Sequence, residues 1–474
     1  MMLRTRWIRQ FTYRCRFLLL AVAAVYTFLV LPDGISTHWI LKPLRYLPPS
    51  GIRQPNSEEV STKLIDATVN NGEVVSADIL EEQIETTPAE LTLNHDKFLL
   101  SSKQYGDLWV EYIVGDNVAL INKLNVEVKQ KAPPKLILSW DAGHSYSNLN
   151  GCREWMCKFT TNRQRLQSAD AVLLSGDLDQ HLVKMRRPQQ YLIFFSQESP
   201  FNNPLMEYMD NFFNFSLGYR RDSPTSSPYG YTVKLAVRSQ NDTRIPSEKR
   251  LSGKHKPLAW FVSNCGTNSF REQYVAALQR FIDVDIYGAC GSLLCNKNSE
   301  CEDSLDTTYY FYIAFENSVC RDYITEKVWN KGFKHDVVPI VLKRSILEPY
   351  APPHSFIAAD DFRTVREMAD YLRYLMRNKT AYKEYFNWRR EYFVVFLNGA
   401  EHDQLERPWG FCQLCRLLWH EPQERHVISD FKRWWTESCE SSGHLVRKIL
   451  QNGDEQENVI SKKSSKVLSA MRFS

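Results

Sequence analysis

A dense group of charged and polar side chains follows an apolar stretch in the middle of the chain. Residues 309–315 are seven consecutive apolar and aromatic residues, typical of a strand buried on both faces of a parallel sheet. A helix is predicted to begin near Tyr323, and backbone N–H groups at a helix N-terminus favour an anion. The segment therefore predicts a site for a diphosphate. Its side chains are Glu316, Asn317, Arg321, Asp322, Tyr323, Thr325, Glu326 and Lys327.

Two neighbouring features place this segment in a sheet. Residues 337–342 form a second apolar run, so the intervening helix completes a βαβ unit. Ligands of open α/β sheets bind where the parallel strands end. Another predicted strand, residues 191–195, runs into Glu198 in the segment Ser-Gln-Glu-Ser-Pro. This strand, too, ends at a carboxylate.

Residues 315–330, FENSVCRDYITEKVWN, resemble the donor-site motif of the α1,3-fucosyltransferases, which use GDP-fucose. Further segments resemble the acceptor-side half of the same family, so the resemblance covers roughly residues 135–420. In chain order these segments are CKFTTNR, ADAVLL, QESP, FNFSLGYRRDS and PYG.

The resemblance implies an α/β fold of the GT-B type, in which two Rossmann-like domains face a cleft. It implies an inverting displacement in which Glu198 removes the proton from the acceptor hydroxyl. Arg271 and Lys327 match the family's phosphate-contacting residues, and Glu326 is expected to accept hydrogen bonds from donor hydroxyl groups. The donor-binding residues expected from the family are Asn264, Arg271, Glu316, Asn317, Tyr323, Glu326 and Lys327.

No metal site is predicted, and no cofactor is required. The sequence contains two Asp-x-Asp segments, the pattern through which many glycosyltransferases hold a cation that binds their nucleotide. Asp283 and Asp285 are better explained as part of a strand that leads to Gly288, while Asp177 and Asp179 lack neighbouring donor features. Divalent cations are expected at most to stimulate the reaction.

The first part of the chain predicts a membrane anchor. Residues 17–31 are apolar apart from Thr27, they follow five arginines, and no small-residue cleavage site comes after them. The positive-inside rule then puts the N-terminus in the cytosol and the rest in a lumen. A net charge of +4 on 474 residues does not suggest nucleic acid as a partner. The layout is that of a single-pass type II Golgi membrane protein.

Cysteine usage agrees with an oxidising lumen. Cys15 lies at the membrane edge and leaves ten cysteines, which permits up to five disulfides. A zinc site at Cys290, Cys295, Cys301 and Cys320 is disfavoured because these residues contain no C-x2-C pair. Three sequons are candidate glycosylation sites. They begin at Asn214, Asn241 and Asn378.

The predicted partners are GDP-fucose, a glycoprotein glycan acceptor and a membrane contacted through residues 17–31. The predicted function is transfer of L-fucose to an N-acetylglucosamine, and the acceptor, in the glycan core or in an antenna, stays open. Two alternatives remain: an inactive transferase-like glycan-binding protein, and a transferase that uses another nucleotide sugar. The predicted segments are a cytosolic tail (1–16), the anchor (17–31), a stem (32–105), an acceptor-side domain (106–250), a GDP-fucose-binding domain (251–450) and a disordered tail (451–474).

Overall fold

The computed structural model describes residues 98–129, 131–141, 143–176, 179–205, 210–295, 300–420 and 426–453. The predicted cytosolic tail and the anchor lie outside these residues, as do most of the predicted stem and C-terminal tail. Within the described ranges, no helix combines the length and apolar character needed to cross a bilayer.

Strands and short helices alternate along the described chain. The strands are β1 (Phe98–Ser102), β2 (Gly106–Ile113), β3 (Lys135–Ser139), β4 (Cys157–Thr160), β5 (Ala171–Leu174), β6 (Tyr191–Phe194), β7 (Phe215–Ser216), β8 (Gly230–Leu235), β9 (Lys256–Phe261), β10 (Val284–Tyr287), β11 (Tyr309–Ile313), β12 (Val338–Val341), β13 (Ile357–Ala358) and β14 (Tyr392–Phe396). The α-helices are α1 (Leu120–Leu124), α2 (Gln180–Met185), α3 (Glu248–Ser252), α4 (Arg271–Leu278), α5 (Ser304–Thr307), α6 (Arg344–Leu347), α7 (Val365–Arg377), α8 (Lys379–Glu384), α9 (Gly410–Trp419) and α10 (Phe431–Thr436). A π-helical turn covers Lys327–Gly332, and the longer 3-10 segments are Tyr146–Trp155 and Arg163–Ser168.

Two five-stranded sheets are parallel throughout and share one strand order. The first runs β4-β3-β5-β6-β7 and the second runs β10-β9-β11-β12-β13. Numbered within each sheet, both orders are 2-1-3-4-5, the doubly wound arrangement in which the chain changes direction between the first and third strands. The α/β class with parallel sheets, expected from the apolar runs, is therefore confirmed.

The inner strands β3, β5, β6, β11 and β12 are almost entirely buried, which explains their apolar sequences. In the second sheet, one face packs on α4 and α7, and the other packs on the π-helical turn. Helix α7 contributes Val365, Met368, Leu372 and Leu375 to this core, as its amphipathic pattern predicts.

The sequence did not predict a third sheet. It is antiparallel, of order β1-β2-β8-β14, and joins three segments that lie far apart in the chain. Strand β1 lies in residues that the sequence analysis assigned to the stem, so the folded part of the chain already includes Phe98. The inner face of this sheet contains Val110, Tyr231, Val233 and Val395.

Helix α9 follows β14 in the chain but packs on the first sheet, against residues 152–157. Disulfides Cys152–Cys412 and Cys157–Cys415 attach both of its cysteines to that region. The remaining disulfides of the described chain are Cys265–Cys290, Cys295–Cys301 and Cys320–Cys439. The described residues thus contain five disulfides, the largest number that the sequence permits. The alternative of a zinc site is wrong because all four of its cysteines are disulfide-bonded.

Candidate active site

The two loops at the direction change of the second sheet carry most of the predicted donor-binding residues. Strands β9 and β11 are adjacent and parallel, so the segments that follow them leave the same edge of the sheet. Asn264 lies just beyond β9 and is exposed, whereas Glu316 lies just beyond β11 and is largely buried. Ligands of doubly wound sheets bind at this position, between the first and third strands.

Arg271 bridges these two loops from the start of α4. Its guanidinium group donates to the backbone oxygen of Phe315 at 2.8 Å and to that of Asn264 at 3.1 Å. The side chain is almost fully buried. Arg271 thus holds the loop after β9 against the end of β11, and its expected contact with a diphosphate stays a prediction.

Glu316, Thr325 and Lys327 form a compact polar cluster. Glu316 Oε1 accepts from the Thr325 backbone N–H at 2.7 Å, and the Thr325 hydroxyl group donates to the same atom at 2.8 Å. The ammonium group of Lys327 lies 3.0 Å from Glu316 Oε2 and 3.2 Å from Glu326 Oε1. One cation therefore sits between two carboxylates.

Burial and these neighbours set the charges of the cluster. Burial raises the pKa of Glu316, and the nearby Lys327 opposes the increase only in part. Burial lowers the pKa of Lys327, but Glu316 and Glu326 outweigh it, so the net pKa is raised. For Glu326 burial raises the pKa, but Lys327 and hydrogen bonds outweigh it and the net pKa is lowered. At neutral pH, Lys327 is protonated and Glu326 is ionised.

The helix predicted to begin near Tyr323 is shorter and begins later. The helix is limited to Lys327–Gly332, which form a single π-helical turn. The backbone N–H of Thr325, expected to face an anion, is occupied by the Glu316 carboxylate. The cationic side chain of this turn is Lys327, which is ion-paired with Glu316 and Glu326.

The candidate base Glu198 lies beyond β6 in the first sheet and is exposed. Its carboxylate oxygen Oε2 accepts a hydrogen bond of 3.0 Å from the hydroxyl group of Tyr323, in the segment after β11 of the second sheet. The neighbouring residue Ser199 forms a buried hydroxyl–hydroxyl contact of 2.8 Å with Ser318. The carboxyl ends of the two parallel sheets thus meet at Glu198 and Tyr323.

Tyr323 is a fully protonated donor to this carboxylate. Its ring is buried, and burial raises its pKa, with Glu316 and Glu198 adding to the increase. Tyr219 packs edge-on against the ring with centroids 4.9 Å apart. The structure therefore brings Glu198, Glu316, Tyr323, Glu326 and Lys327 into one region, and their roles in binding and catalysis stay predictions.

Asn317 lies at the same strand end but shows no side-chain partner for its oxygen. The oxygen Oδ1 is buried without a hydrogen bond, while the backbone oxygen accepts from the Ser269 N–H. A buried unpaired acceptor costs free energy unless a ligand or water pairs with it. This feature agrees with the expected role of Asn317 in lining the pocket.

Sequence reasoning did not assign a role to Tyr229, which belongs to the same region. Its hydroxyl group donates to the backbone oxygen of Gln197, next to Glu198. Burial raises the pKa of Tyr229, and the charges of Glu326, Glu198 and Glu316 raise it further. The sequence signal was present, since Tyr229 belongs to the PYG segment of the family resemblance.

The rejected metal motif is engaged elsewhere. Asp285 accepts hydrogen bonds from Lys256 at 2.6 Å and from Tyr309 at 2.5 Å. Among the residues that the structure describes, no group of three or more His, Cys, Asp or Glu side chains is arranged to hold a metal ion. Asp177 lies outside the described residues, and its motif partner Asp179 is the N-cap of α2.

The three sequons differ in their surroundings. Asn241 is exposed and Asn378 is partly exposed, and each caps the N-terminus of a short helix. Asn214 is buried, with Oδ1 accepting from Leu192 N–H and Nδ2 donating to the oxygen of His426, both at 2.9 Å. Because both ends of the Asn214 amide are engaged in this packing, we expect that sequon to carry no glycan in the folded protein.

The carboxyl ends of two doubly wound sheets thus meet at an exposed carboxylate and a buried tyrosine, beside a lysine held by two carboxylates. Such a concentration of polar and charged groups at the ligand-binding edges of parallel sheets is typical of the active sites of α/β enzymes. Comparison with known proteins specifies the class further. Residues 132–230 match the fucosyltransferase N-terminal family model, and residues 251–434 match that of the C-terminal part of glycosyltransferase family 10 (fucosyltransferase).

Individual relatives agree with the family models. The chain is 51% identical over 316 residues to alpha-(1,3)-fucosyltransferase fut-1 of Caenorhabditis elegans, covering 66% of this chain and 72% of that protein. It is 33% identical over 323 residues to glycoprotein 3-alpha-L-fucosyltransferase A of Drosophila melanogaster, covering 65% of this chain and 59% of that protein. A crystal structure of an alpha1,3-fucosyltransferase with GDP-fucose aligns at 18% identity and a TM-score of 0.40, covering 65% of this chain and 97% of that one. The protein is a glycosyltransferase and belongs to family 10, the fucosyltransferases.

Proposed function

We propose that this chain transfers L-fucose from GDP-fucose to an N-acetylglucosamine of a glycoprotein glycan, forming an α1,3 linkage with inversion at the anomeric carbon. The observation that carries the proposal is the hydrogen bond between Glu198 and Tyr323. It joins the candidate base of the first sheet to the candidate donor loop of the second. Membership of the fucosyltransferase family and the names of the relatives support the same reaction.

The chemistry follows from the positions of the charged groups. Inversion in one displacement needs a base opposite the leaving group, and the exposed carboxylate of Glu198 is available for this. The departing GDP gains negative charge, which Lys327 and Arg271 would stabilise as side-chain cations. Glu326 would accept hydrogen bonds from donor hydroxyl groups, and Asn264 and Asn317 would line the pocket.

The GT-B arrangement is part of this proposal. Two parallel sheets of the same strand order support it, because each provides one ligand-binding edge. The acceptor would bind on the side of Glu198, and the donor on the side of Glu316 and Lys327.

The proposed location is the Golgi membrane, in single-pass type II orientation with the catalytic part in the lumen. The apolar residues 17–31 after five arginines support the anchor. Five disulfides support an oxidising compartment.

A transfer assay with the full-length chain tests the proposal. Labelled GDP-fucose is offered with core and antennal N-acetylglucosamine glycans, and the product linkage is determined by NMR. We expect α1,3-linked fucose on at least one acceptor, with inhibition by GDP and not by UDP. Transfer from a different nucleotide sugar would contradict the donor assignment. Glycan binding without transfer would indicate the inactive lectin-like alternative.

A further inference from the structure

Asp322 is a buried acidic residue that the proposed mechanism does not use. Its side chain is only 5% exposed, and its backbone is in the left-handed region with φ of 61°. A residue other than glycine adopts this conformation only when its surroundings hold it there, although Asp tolerates it better than most residues. The contacts of the carboxylate must therefore explain why the chain turns here.

The carboxylate of Asp322 joins three segments of the fold. Oδ2 accepts a hydrogen bond of 3.0 Å from the backbone N–H of Arg221, in the segment after β7 of the first sheet. Oδ1 accepts one of 2.7 Å from the hydroxyl group of Tyr350, which follows α6 beside the second sheet. The guanidinium nitrogens Nε of Arg220 and Arg321 both lie 3.9 Å from Oδ2.

The residue fixed by these contacts immediately precedes Tyr323. The backbone of this loop is held further by the Tyr323 N–H, which donates to the oxygen of Cys320, and by the disulfide from Cys320 to Cys439. The hydroxyl group of Tyr323 then reaches Glu198. Among the described residues, the Tyr323 hydroxyl group is the donor that hydrogen-bonds to the Glu198 carboxylate.

We propose that Asp322 is a positioning residue for the transfer reaction: it holds the loop in which Tyr323 orients the Glu198 carboxylate toward the acceptor hydroxyl group. The inference rests on the proposed function and adds a role for two residues. Tyr323 acts on the base, in place of the donor contact expected from the sequence. Asp322 acts only through Tyr323 and touches no substrate.

A double-mutant cycle with the full-length chain tests this coupling. The variants are Asp322→Asn, Tyr323→Phe and the two together. Asn keeps the size of Asp and its tolerance of the left-handed backbone, but it replaces one carboxylate acceptor with an amide donor. The amide oxygen can still accept from the Arg221 N–H, but the negative charge beside the guanidinium groups of Arg220 and Arg321 is lost. For each variant, kcat is measured with both substrates saturating, and GDP affinity is measured by calorimetry.

Each single variant is expected to lose kcat by about 10- to 100-fold, the range for a hydrogen bond to a charged group. The kcat of the double variant is expected to lie within about 2-fold of the kcat of Tyr323→Phe, because without the Tyr323 hydroxyl group Asp322 has nothing left to position. GDP affinity should change by less than about 3-fold in all three variants. Tyr350→Phe removes one contact of Asp322 and should give a smaller loss in the same direction, which covers the case in which Asp322→Asn fails to fold.

Asp222→Asn is the matched control. Asp222 is also a carboxylate beside Arg220 and Arg321, but it contacts neither Tyr350 nor Tyr323. We expect its kcat to stay within about 2-fold of the unaltered protein.

Three results would overturn the inference while leaving the proposed function intact. The losses of the two single variants could multiply in the double variant, Asp322→Asn could lower GDP affinity as much as kcat, or Asp222→Asn could lose as much kcat as Asp322→Asn. An unaltered protein that transfers no fucose from GDP-fucose would instead refute the proposed function, and this inference with it.

Discussion

The ammonium group of Lys327 lies 3.0 Å from the Glu316 carboxylate, and Glu316 in turn accepts the backbone N–H of Thr325. Glu326 holds the same ammonium group from its other side at 3.2 Å. The cation is therefore pre-positioned at the end of β11 by two carboxylates. A diphosphate that binds there meets a charge whose position is already fixed, which reduces the cost of ordering it.

Substitutions of Glu198 and Lys327 should fail in different ways. Glu198→Gln keeps the shape and removes the base, so GDP affinity should survive while kcat falls by roughly 10²–10⁴-fold. Lys327→Ala removes a charge expected to contact the diphosphate before and during departure, so GDP affinity should fall along with kcat. Calorimetry with GDP and transfer assays on the same two proteins measure both effects. Comparable loss of GDP affinity in Glu198→Gln, or near-full turnover, would remove Glu198 as the base.

Chelation should leave most of the activity. The charges proposed to receive GDP belong to Lys327 and Arg271, and side-chain cations do not respond to EDTA. We expect more than about half of the transfer rate to persist after dialysis against EDTA. Complete loss that added Mn²⁺ or Mg²⁺ reverses would contradict this, and would direct attention to Asp283 and Asp285.

The paired disulfides of α9 should show strong non-additivity. Cys152–Cys412 and Cys157–Cys415 close loops with sequence separations of 260 and 258. While one of them remains, loss of the other opens a ring of only about ten residues, worth roughly 2–3 kcal/mol of unfolding free energy. Loss of both disulfides frees the long loop. The unfolding free energy should then fall by roughly 5–6 kcal/mol beyond the loss caused by removing one disulfide. Urea unfolding of the Cys→Ala pairs, singly and combined, measures this.

Cys295–Cys301 is the control for that experiment. It closes a loop with a sequence separation of 6, so its removal should cost roughly 2 kcal/mol, similar to either disulfide of α9 alone. Equal losses that simply add for the two α9 disulfides would show that the chain-entropy explanation fails here.

His402 should make stability depend on pH. Its Nδ1 lies 2.8 Å from Glu406 Oε2, and this hydrogen bond, outweighing burial, raises the pKa of His402 above 6.5. A raised folded-state pKa stabilises the fold fully below about pH 6.5, and that contribution is lost as pH rises through the folded pKa. Glu406→Gln should therefore destabilise the protein by roughly 1–2 kcal/mol near pH 5.5 and by less near pH 8.5. Urea midpoints at the two pH values provide the comparison, and a larger loss at the higher pH would contradict the assignment.

Asn214 should carry no glycan in the folded protein. Both atoms of its amide group are hydrogen-bonded within the core, whereas Asn241 is exposed. Glycopeptide mass spectrometry of the secretory-pathway protein should find Asn214 unmodified. Asn241 provides the comparison site in the same digest. Substantial glycan on Asn214 in the enzymatically active fraction would contradict the packing described for this residue.

Much of the local structure could be predicted from the sequence. The apolar runs at β6, β11 and β12 predicted strands of a buried sheet, because a strand covered on both faces needs apolar residues at every position. The amphipathic spacing of α7 predicted its buried face. Asn317, Tyr323, Glu326 and Lys327 lie in one motif with Glu316, so their proximity to it followed from the predicted βαβ unit.

The tertiary structure decided what depends on contacts between distant segments. Tyr323 and Glu198 are 125 residues apart, and periodicity cannot report which hydroxyl group meets which carboxylate across two sheets. The third sheet joins β2, β8 and β14, whose edges pair only after the chain between them has folded. Disulfide pairing is decided in the same way, since Cys320 and Cys439 are brought together by packing. Sequence patterns express preferences of neighbouring residues, whereas these contacts depend on how whole elements pack.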